Sequence, residues 1–176
     1  MTTLPNWLLI SGSGRNVGKT TLTCRIIHET SGLEPVAVKI SSHLHPLPEN
    51  SEWIIRSKDF AVIRETLINS KDSSKMLQAG AESAFYAQGP DYRLPEILSA
   101  LLNFTQNRPV ICESGGLRKL IIPGIYFLIK DDENYIKPAI ETLGLFADKV
   151  LTPADANSGE FAKILFFKNN RWQIKS

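Results

Sequence analysis

The amino-acid sequence predicts an α/β fold, with a mostly parallel sheet that carries helices on both faces. Three observations support this prediction. Short apolar runs alternate with helical patterns, a glycine-rich loop joins the first apolar run to the first helix, and polar residues follow several of the apolar runs. Such alternation is typical of parallel sheets, because a crossover, usually a helix, must connect successive parallel strands.

The composition is that of one ordinary globular domain over residues 1–176. The chain is 43% hydrophobic and 22% charged, and its net charge of +2 argues against nucleic acid as the main partner. No apolar run approaches the roughly 20 residues that span a bilayer, and the N-terminus lacks a signal-peptide pattern. We therefore expect no membrane partner. Two cysteines, Cys24 and Cys112, are most simply reduced thiols, which indicates a cytoplasmic location.

The chain begins with a strand, a loop and a helix. Trp7–Ile10 is a continuous apolar run that predicts a buried strand. The helical pattern starts at Lys19, and Ser31-Gly32 stops it. The apolar face of this helix carries Leu22, Ile26 and Ile27. Pro35 then precedes a second apolar strand, Val36–Ile40.

Residues 47–70 predict a small β-hairpin inserted into the domain. Two apolar stretches in this segment, Trp53–Ile55 and Phe60–Ile63, flank a polar turn. Residues 71–80 predict a short helix or an ordered loop, and a short strand follows near residues 84–87.

The second half of the chain continues the alternation. Pro95 lies near the start of an apolar-faced helix, and residues 110–112 predict a buried strand that ends at Glu113. The next predicted elements are a strand over Ile125–Ile129, a helix from about Tyr135 to Leu143 and a strand at Val150-Leu151. Apolar stretches on either side of Asn169-Asn170 predict a C-terminal hairpin.

The loop from Ser11 to Thr21 predicts a phosphate-binding site of the P-loop NTPase type. A loop between a strand and a helix directs backbone N–H groups at one point, where the positive end of the helix also lies. Lys19 is expected to reach the β- and γ-phosphates, and Thr20 to offer its hydroxyl to Mg²⁺. The residues predicted to contact the nucleotide, ATP or GTP, are Gly14, Arg15, Asn16, Val17, Gly18, Lys19, Thr20 and Thr21. The competing interpretation is a Gly/Ser turn that merely starts a helix, with Arg15 solvated.

Glu113 is the second candidate, because it directly follows a buried strand. P-loop enzymes place the acid that holds Mg²⁺ at such a position. We therefore predict that Lys19 and Glu113 are catalytic and that Thr20 and Glu113 hold the metal. Gly115 and Gly116 would let a phosphate or substrate approach the backbone. The alternative for Glu113 is a solvated carboxylate at a strand end.

Lys39 interrupts an apolar strand, where an unpaired ammonium group would be costly. It either neutralises a phosphate or a substrate carboxylate, or extends to solvent. His43 and His45 form an H-x-H pair, but no obvious third ligand exists beyond His28. We expect structural or solvent-facing roles for both.

The spacing of the loop departs from G-x-x-x-x-G-K-[ST], in which the first glycine would fall at Ser13. The glycines are instead Gly12 and Gly14, so the loop resembles that of dethiobiotin synthetases. The residues that match that loop are Gly12, Val17, Gly18, Lys19 and Thr20. Arg15 replaces its second threonine and Asn16 its usual acidic residue.

Three segments together resemble the MobB family of molybdopterin-guanine dinucleotide biosynthesis adaptors, P-loop NTPases that bind GTP. They are residues 12–21, residues 38–45 and residues 71–81. Within the third, Lys71-Asp72-Ser73 followed by Ala79-Gly80-Ala81 is a close match, whereas Lys39, His43 and His45 match only loosely. The resemblance covers about two-thirds of the chain. It implies an adaptor for a partner enzyme in molybdenum cofactor biosynthesis.

The resemblance also makes Asp72 a candidate for contact with the metal or the nucleotide. The alternative is a helix N-cap or first-turn residue. The base is left open, because Pro153 stands where guanine-reading segments carry lysine. Asp155 is either a turn residue or a guanine ligand.

These observations predict a P-loop NTPase that binds ATP or GTP with Mg²⁺ and hydrolyses it slowly. One alternative is an ATP-dependent ligase or amidase, similar to dethiobiotin synthetase, that activates a small-molecule carboxylate near Lys39, Gly115 and Gly116. The other is a non-catalytic nucleotide-binding scaffold, which would form a homodimer through residues 47–70.

Overall fold

The computed structural model describes residues 1–131 and 138–175, and its centre is an eight-stranded sheet. The strands are β1 (Thr2–Gly12), β2 (Val36–Ser41), β3 (Glu52–Arg56), β4 (Ala61–Arg64), β5 (Ser83–Gln88), β6 (Val110–Ser114), β7 (Ile121–Ile129) and β8 (Lys149–Leu151). Their order is β3-β4-β5-β2-β6-β1-β7-β8. Neighbouring strands in the series β5-β2-β6-β1-β7-β8 are all parallel, whereas β4 is antiparallel to both of its neighbours. The predicted α/β class and mostly parallel sheet are confirmed.

Helices cover both faces of this sheet, as predicted. They are α1 (Lys19–Glu29), α2 (Asp72–Gln78), α3 (Leu94–Thr105), α4 (Pro138–Gly144), α5 (Pro153–Ser158) and α6 (Glu160–Lys163). Apolar residues of α3 pack in one core, and those of α1, α2, α5 and α6 pack in the other. Among the described residues, no helix is long and apolar enough to cross a membrane.

Strand β1 shows why the sequence pattern was informative. Trp7 and Leu9 lie in the core on the α3 face, whereas Leu8 and Ile10 lie in the core on the α1 face. A strand that is covered on both faces reads as a continuous apolar run. The strand is longer than this run, because Thr2–Leu4 also pair with β7. Those residues are exposed or half-buried and carry no apolar pattern.

Both predicted hairpins are present. Strands β3 and β4 form the first, and β4 pairs with β5, so this hairpin extends the main sheet. The second consists of β9 (Leu165–Lys168) and β10 (Arg171–Ile174). Asn169 and Asn170 join its strands with φ of 53° and 56°, as a tight hairpin turn requires. Trp172 of this hairpin is buried and donates a hydrogen bond to Val110 O at 3.1 Å.

The predicted helices differ from the structure near the C-terminus. Helices α5 and α6 were not predicted, because each is short and has little apolar periodicity. The predicted helix from Tyr135 to Leu143 corresponds to α4, which ends at Gly144. Its predicted first residues, 135–137, lie outside the described residues.

Candidate functional site

The loop between β1 and α1 contains two residues in the left-handed backbone region. Asn16 and Gly18 adopt left-handed conformations, with φ of 60° and 99°. A methyl group at Gly18 would also lie 3.0 Å from Cβ of Ala156 in α5. Glycine is therefore required at this position both by its backbone angle and by its neighbour. Gly18 O accepts the hydrogen bond of Leu22 N at 2.9 Å, which begins α1.

Gly12 explains the unusual spacing of the glycines. A methyl group at Gly12 would lie 2.7 Å from Cγ2 of Val17 and 3.1 Å from Cγ of Lys19. A methyl group at Gly14 would meet nothing within 4 Å. The close approach that demands glycine therefore occurs one residue before the position expected from the common spacing.

Most of the predicted nucleotide-binding residues line one cavity of about 560 Å³. Its lining includes Arg15, Asn16, Gly18, Lys19, Thr20, Thr21, Lys39, Asp72 and Glu113. Gly14 lines an adjoining cavity of about 460 Å³, together with Gly115 and Gly116. Val17 differs, because its side chain is buried in the core on the α1 face. Only the backbone of Val17 is available to a ligand.

Glu113 is the centre of the polar cluster in this cavity. Its side chain is only 2% exposed, and its two oxygens have different donors. Thr20 Oγ1 donates to Oε2 at 2.8 Å, and Lys39 Nζ donates to Oε1. The sheet brings these groups together, because Lys39 of β2 lies opposite Glu113 of β6. The interpretation of Glu113 as a solvated carboxylate is therefore wrong.

Lys39 forms an ion pair with Asp72 as well, with Nζ 3.1 Å from Oδ2. Its side chain is 16% exposed, so the interpretation that Lys39 extends to solvent is wrong. Burial opposes its charge, but Glu113 and Asp72 more than offset this effect and raise the pKa of Lys39. Burial also opposes the charge of Asp72, yet Lys39 holds the pKa of Asp72 below its usual range.

A second buried carboxylate, Glu65, positions Asp72. Glu65 Oε2 accepts a hydrogen bond from Ser73 Oγ at 2.7 Å, and Oε1 accepts one from Leu67 N at 3.1 Å. Ser73 follows Asp72 in the first turn of α2. In the Lys-Asp-Ser segment, the aspartate therefore faces the site while the serine anchors the helix. Glu65 was not predicted as a site residue, because its only signal in the sequence is its position directly after β4.

Lys19 spans the loop. Its Nζ donates a hydrogen bond to Gly14 O. Burial lowers the pKa of Lys19, partly opposed by Glu113 and reinforced by the charge of Lys39. Lys19 is therefore a partly desolvated cation that lies against the backbone of the loop.

Four of the remaining residues that the sequence singled out are His43, His45, Gly115 and Gly116. The backbone groups of His45 bond to the Gln88 amide at 2.9 and 3.0 Å, and those of His43 bond to Ser41 Oγ. Both residues line a third cavity of about 550 Å³, which Lys39 also lines. A methyl group at Gly116 would lie 3.0 Å from Asp91 Oδ1, whereas Gly115 has open space.

Asp155 belongs to the scaffold. Its Oδ2 accepts hydrogen bonds from Thr152 N and Thr152 Oγ1, both at 2.8 Å, in a capping box at the start of α5. Thr152 N, followed by the Thr152 hydroxyl, lowers the pKa of this carboxyl. The structure therefore favours a helix-capping role for Asp155 over contact with guanine.

No family model, curated protein or solved structure matches this chain. The chemistry of the site must therefore be inferred from its geometry. The described residues contain no group of three or more His, Cys, Asp or Glu placed to hold a metal. Two carboxylates and one hydroxyl do suit Mg²⁺, which is usually bound by one or two carboxylates together with phosphate oxygens and water.

Proposed function

We propose that this protein is a P-loop NTPase that binds a nucleoside triphosphate with Mg²⁺ in the 560 Å³ cavity. One observation carries the proposal: the hydrogen bond from Thr20 to Glu113 lies beside Lys19 at the start of α1. A hydroxyl, a buried carboxylate and an ammonium group thus meet at a helix N-terminus, where the backbone also attracts anions.

Each group has a definite role in this proposal. Backbone N–H groups of residues 14–20 bind phosphate oxygens, and Lys19 leaves Gly14 O to neutralise the β- and γ-phosphates. Thr20, Glu113 and Asp72 would hold Mg²⁺. The bound metal would neutralise phosphate charge. Arg15 lines three cavities that Lys39 also lines, which favours a phosphate-facing role over a solvated one.

Hydrolysis is expected to be slow. The carboxylates among the described residues of this cavity are Asp72 and Glu113, and both form ion pairs with Lys39. A carboxylate in such a pair is a poor acceptor for a proton from water. The proposal is tested by calorimetry with ATP, GTP and CTP, with and without Mg²⁺. Saturable binding that Mg²⁺ strengthens supports it, and no binding of any triphosphate contradicts it.

Replacing Glu113 with Gln is expected to weaken the Mg²⁺ dependence of triphosphate binding. The amide has nearly the same size as the carboxylate and keeps one oxygen acceptor, but it has no charge for the metal. Mg²⁺ titrations at fixed nucleotide should require more metal in the variant than in the wild type. An unchanged metal requirement would exclude Glu113 from the metal site.

Triphosphate affinity is expected to fall as the pH rises from neutrality toward 10.5, the usual pKa of lysine. The protonated form of Lys19 binds the phosphates, and its pKa lies below the usual 10.5, so the charge is lost at a lower pH than in a free lysine. Calorimetry from pH 7 upward measures this effect. The Lys19→Arg variant keeps its charge over this range. An equal fall in both proteins would contradict the assignment to Lys19.

The biological role is a separate part of the proposal. The segments that resemble MobB support a cytoplasmic adaptor that serves a partner enzyme in molybdenum cofactor biosynthesis. A homodimer through residues 47–70 stays a prediction. A second candidate is an ATP-dependent ligase, favoured by the cavities of about 550 and 460 Å³ that adjoin Lys39. Formation of a product from an added carboxylate, rather than release of phosphate alone, would distinguish the ligase.

A further inference from the structure

Sheet order places two groups of elements on opposite sides of the loop between β1 and α1. Strands β2 and β6, which carry Lys39 and Glu113, lie on one side of β1. Strand β8 lies on the other side, beyond β7, and leads directly into α5. The 560 Å³ cavity is lined by Lys39 and Glu113 and also by Asn157 of α5. A nucleotide in this cavity with its γ-phosphate and metal at Lys39 and Glu113 would therefore have its nucleoside toward α5.

Asn157 is the side chain of α5 that faces this space. Ala156 is fully buried and packs on the loop, with its Cβ 3.0 Å from the methyl position at Gly18. Asn157 Oδ1 lies 3.9 Å from the same point, and Asn157 lines the 560 Å³ cavity together with Thr21. The Asn157 side chain is exposed. Its amide can therefore both donate to and accept from a ligand.

The neighbouring groups favour one base. Guanine presents two adjacent donors, N1–H and the N2 amine, which a carboxylate matches. Asp155 cannot supply that carboxylate without leaving the capping box. Adenine presents a donor at N6 beside an acceptor at N7, and a single Asn amide pairs with both atoms.

We infer that Asn157 reads the base and makes this site select adenine over guanine nucleotides. This inference rests on the proposed triphosphate function. The experiment measures the affinities of ATP, GTP and the triphosphate of purine riboside, which lacks the 6-amino group. The wild type is expected to bind ATP about tenfold more tightly than GTP. Asn157→Ala should lose about this factor for ATP, little for GTP, and less for the purine riboside nucleotide than for ATP.

Two further variants sharpen the test. Asn157→Asp should weaken ATP and not GTP, because its carboxylate cannot donate to N7. Asn103→Ala changes an exposed asparagine of α3, on the opposite face of the sheet, and should alter neither affinity. Tighter GTP binding by the wild type, or equal losses of ATP and GTP in Asn157→Ala, would overturn the base assignment while leaving the proposed function intact. Failure to bind any triphosphate would overturn both.

Discussion

Replacing Lys19 with Ala is expected to lower the affinity for the Mg²⁺–triphosphate by roughly a hundredfold, corresponding to about 3 kcal/mol. The Lys19 ammonium group donates a hydrogen bond to Gly14 O across the loop, and the proposed function assigns this group to the β- and γ-phosphates. Calorimetry with ATP and GTP measures the loss. The effect should be smaller for nucleoside monophosphates, because they lack the β- and γ-phosphates that Lys19 is proposed to contact.

A control variant distinguishes the effect of losing the Lys19 ammonium group from the effect of losing any one positive charge. Lys168→Ala removes an exposed lysine from the C-terminal hairpin and should leave the affinity unchanged. Denaturation midpoints of both variants should stay close to that of the wild type. If Lys19→Ala binds triphosphates as tightly as the wild type, the glycine-rich loop is not a phosphate site.

Replacing Lys39 with Met is expected to destabilise the fold by about 3 kcal/mol. The substitution preserves much of the apolar stem, but it leaves Glu113 buried without its ammonium partner and takes the nearest cation from Asp72. An uncompensated buried charge costs far more than an exposed one. Urea denaturation near neutral pH measures the loss.

A second substitution tests the cause of this loss. In the double variant Lys39→Met with Glu113→Gln, the buried charge is absent, and we expect much of the stability to return. A Lys39→Met protein as stable as the wild type would show that the ion pairs do not stabilise the fold. A double variant that is less stable than either single variant would lead to the same conclusion.

The pH range of this stabilisation follows from the two pKa shifts. The pKa of Asp72 is lowered from 3.8, so its contribution is complete above that value and is lost as the pH falls through the lower folded-state pKa. The pKa of Lys39 is raised from 10.5, so its contribution is complete below that value and is lost as the pH rises above it. The cluster therefore stabilises the fold over the whole neutral range.

Much of the central fold could be predicted because both faces of the sheet are covered. Such strands leave continuous apolar runs in the sequence, and the Trp7–Ile10 run is an example. The ends of the strands were predicted less well than their centres. Strand β7, for example, begins at Ile121, four residues before its predicted start. Helices α5 and α6 were not predicted, because each spans only one or two turns, too few for a hydrophobic period to appear.

Local sequence patterns predicted the glycine-rich loop, the helix that follows it and the acid near the end of β6, because the geometry of each depends on neighbouring residues. Only the folded chain shows that Lys39 pairs with Glu113 and Asp72, that Glu65 holds the start of α2, and that Asn157 lines the cavity. Those contacts join residues far apart in the chain. They depend on strand order and register, which local patterns do not encode.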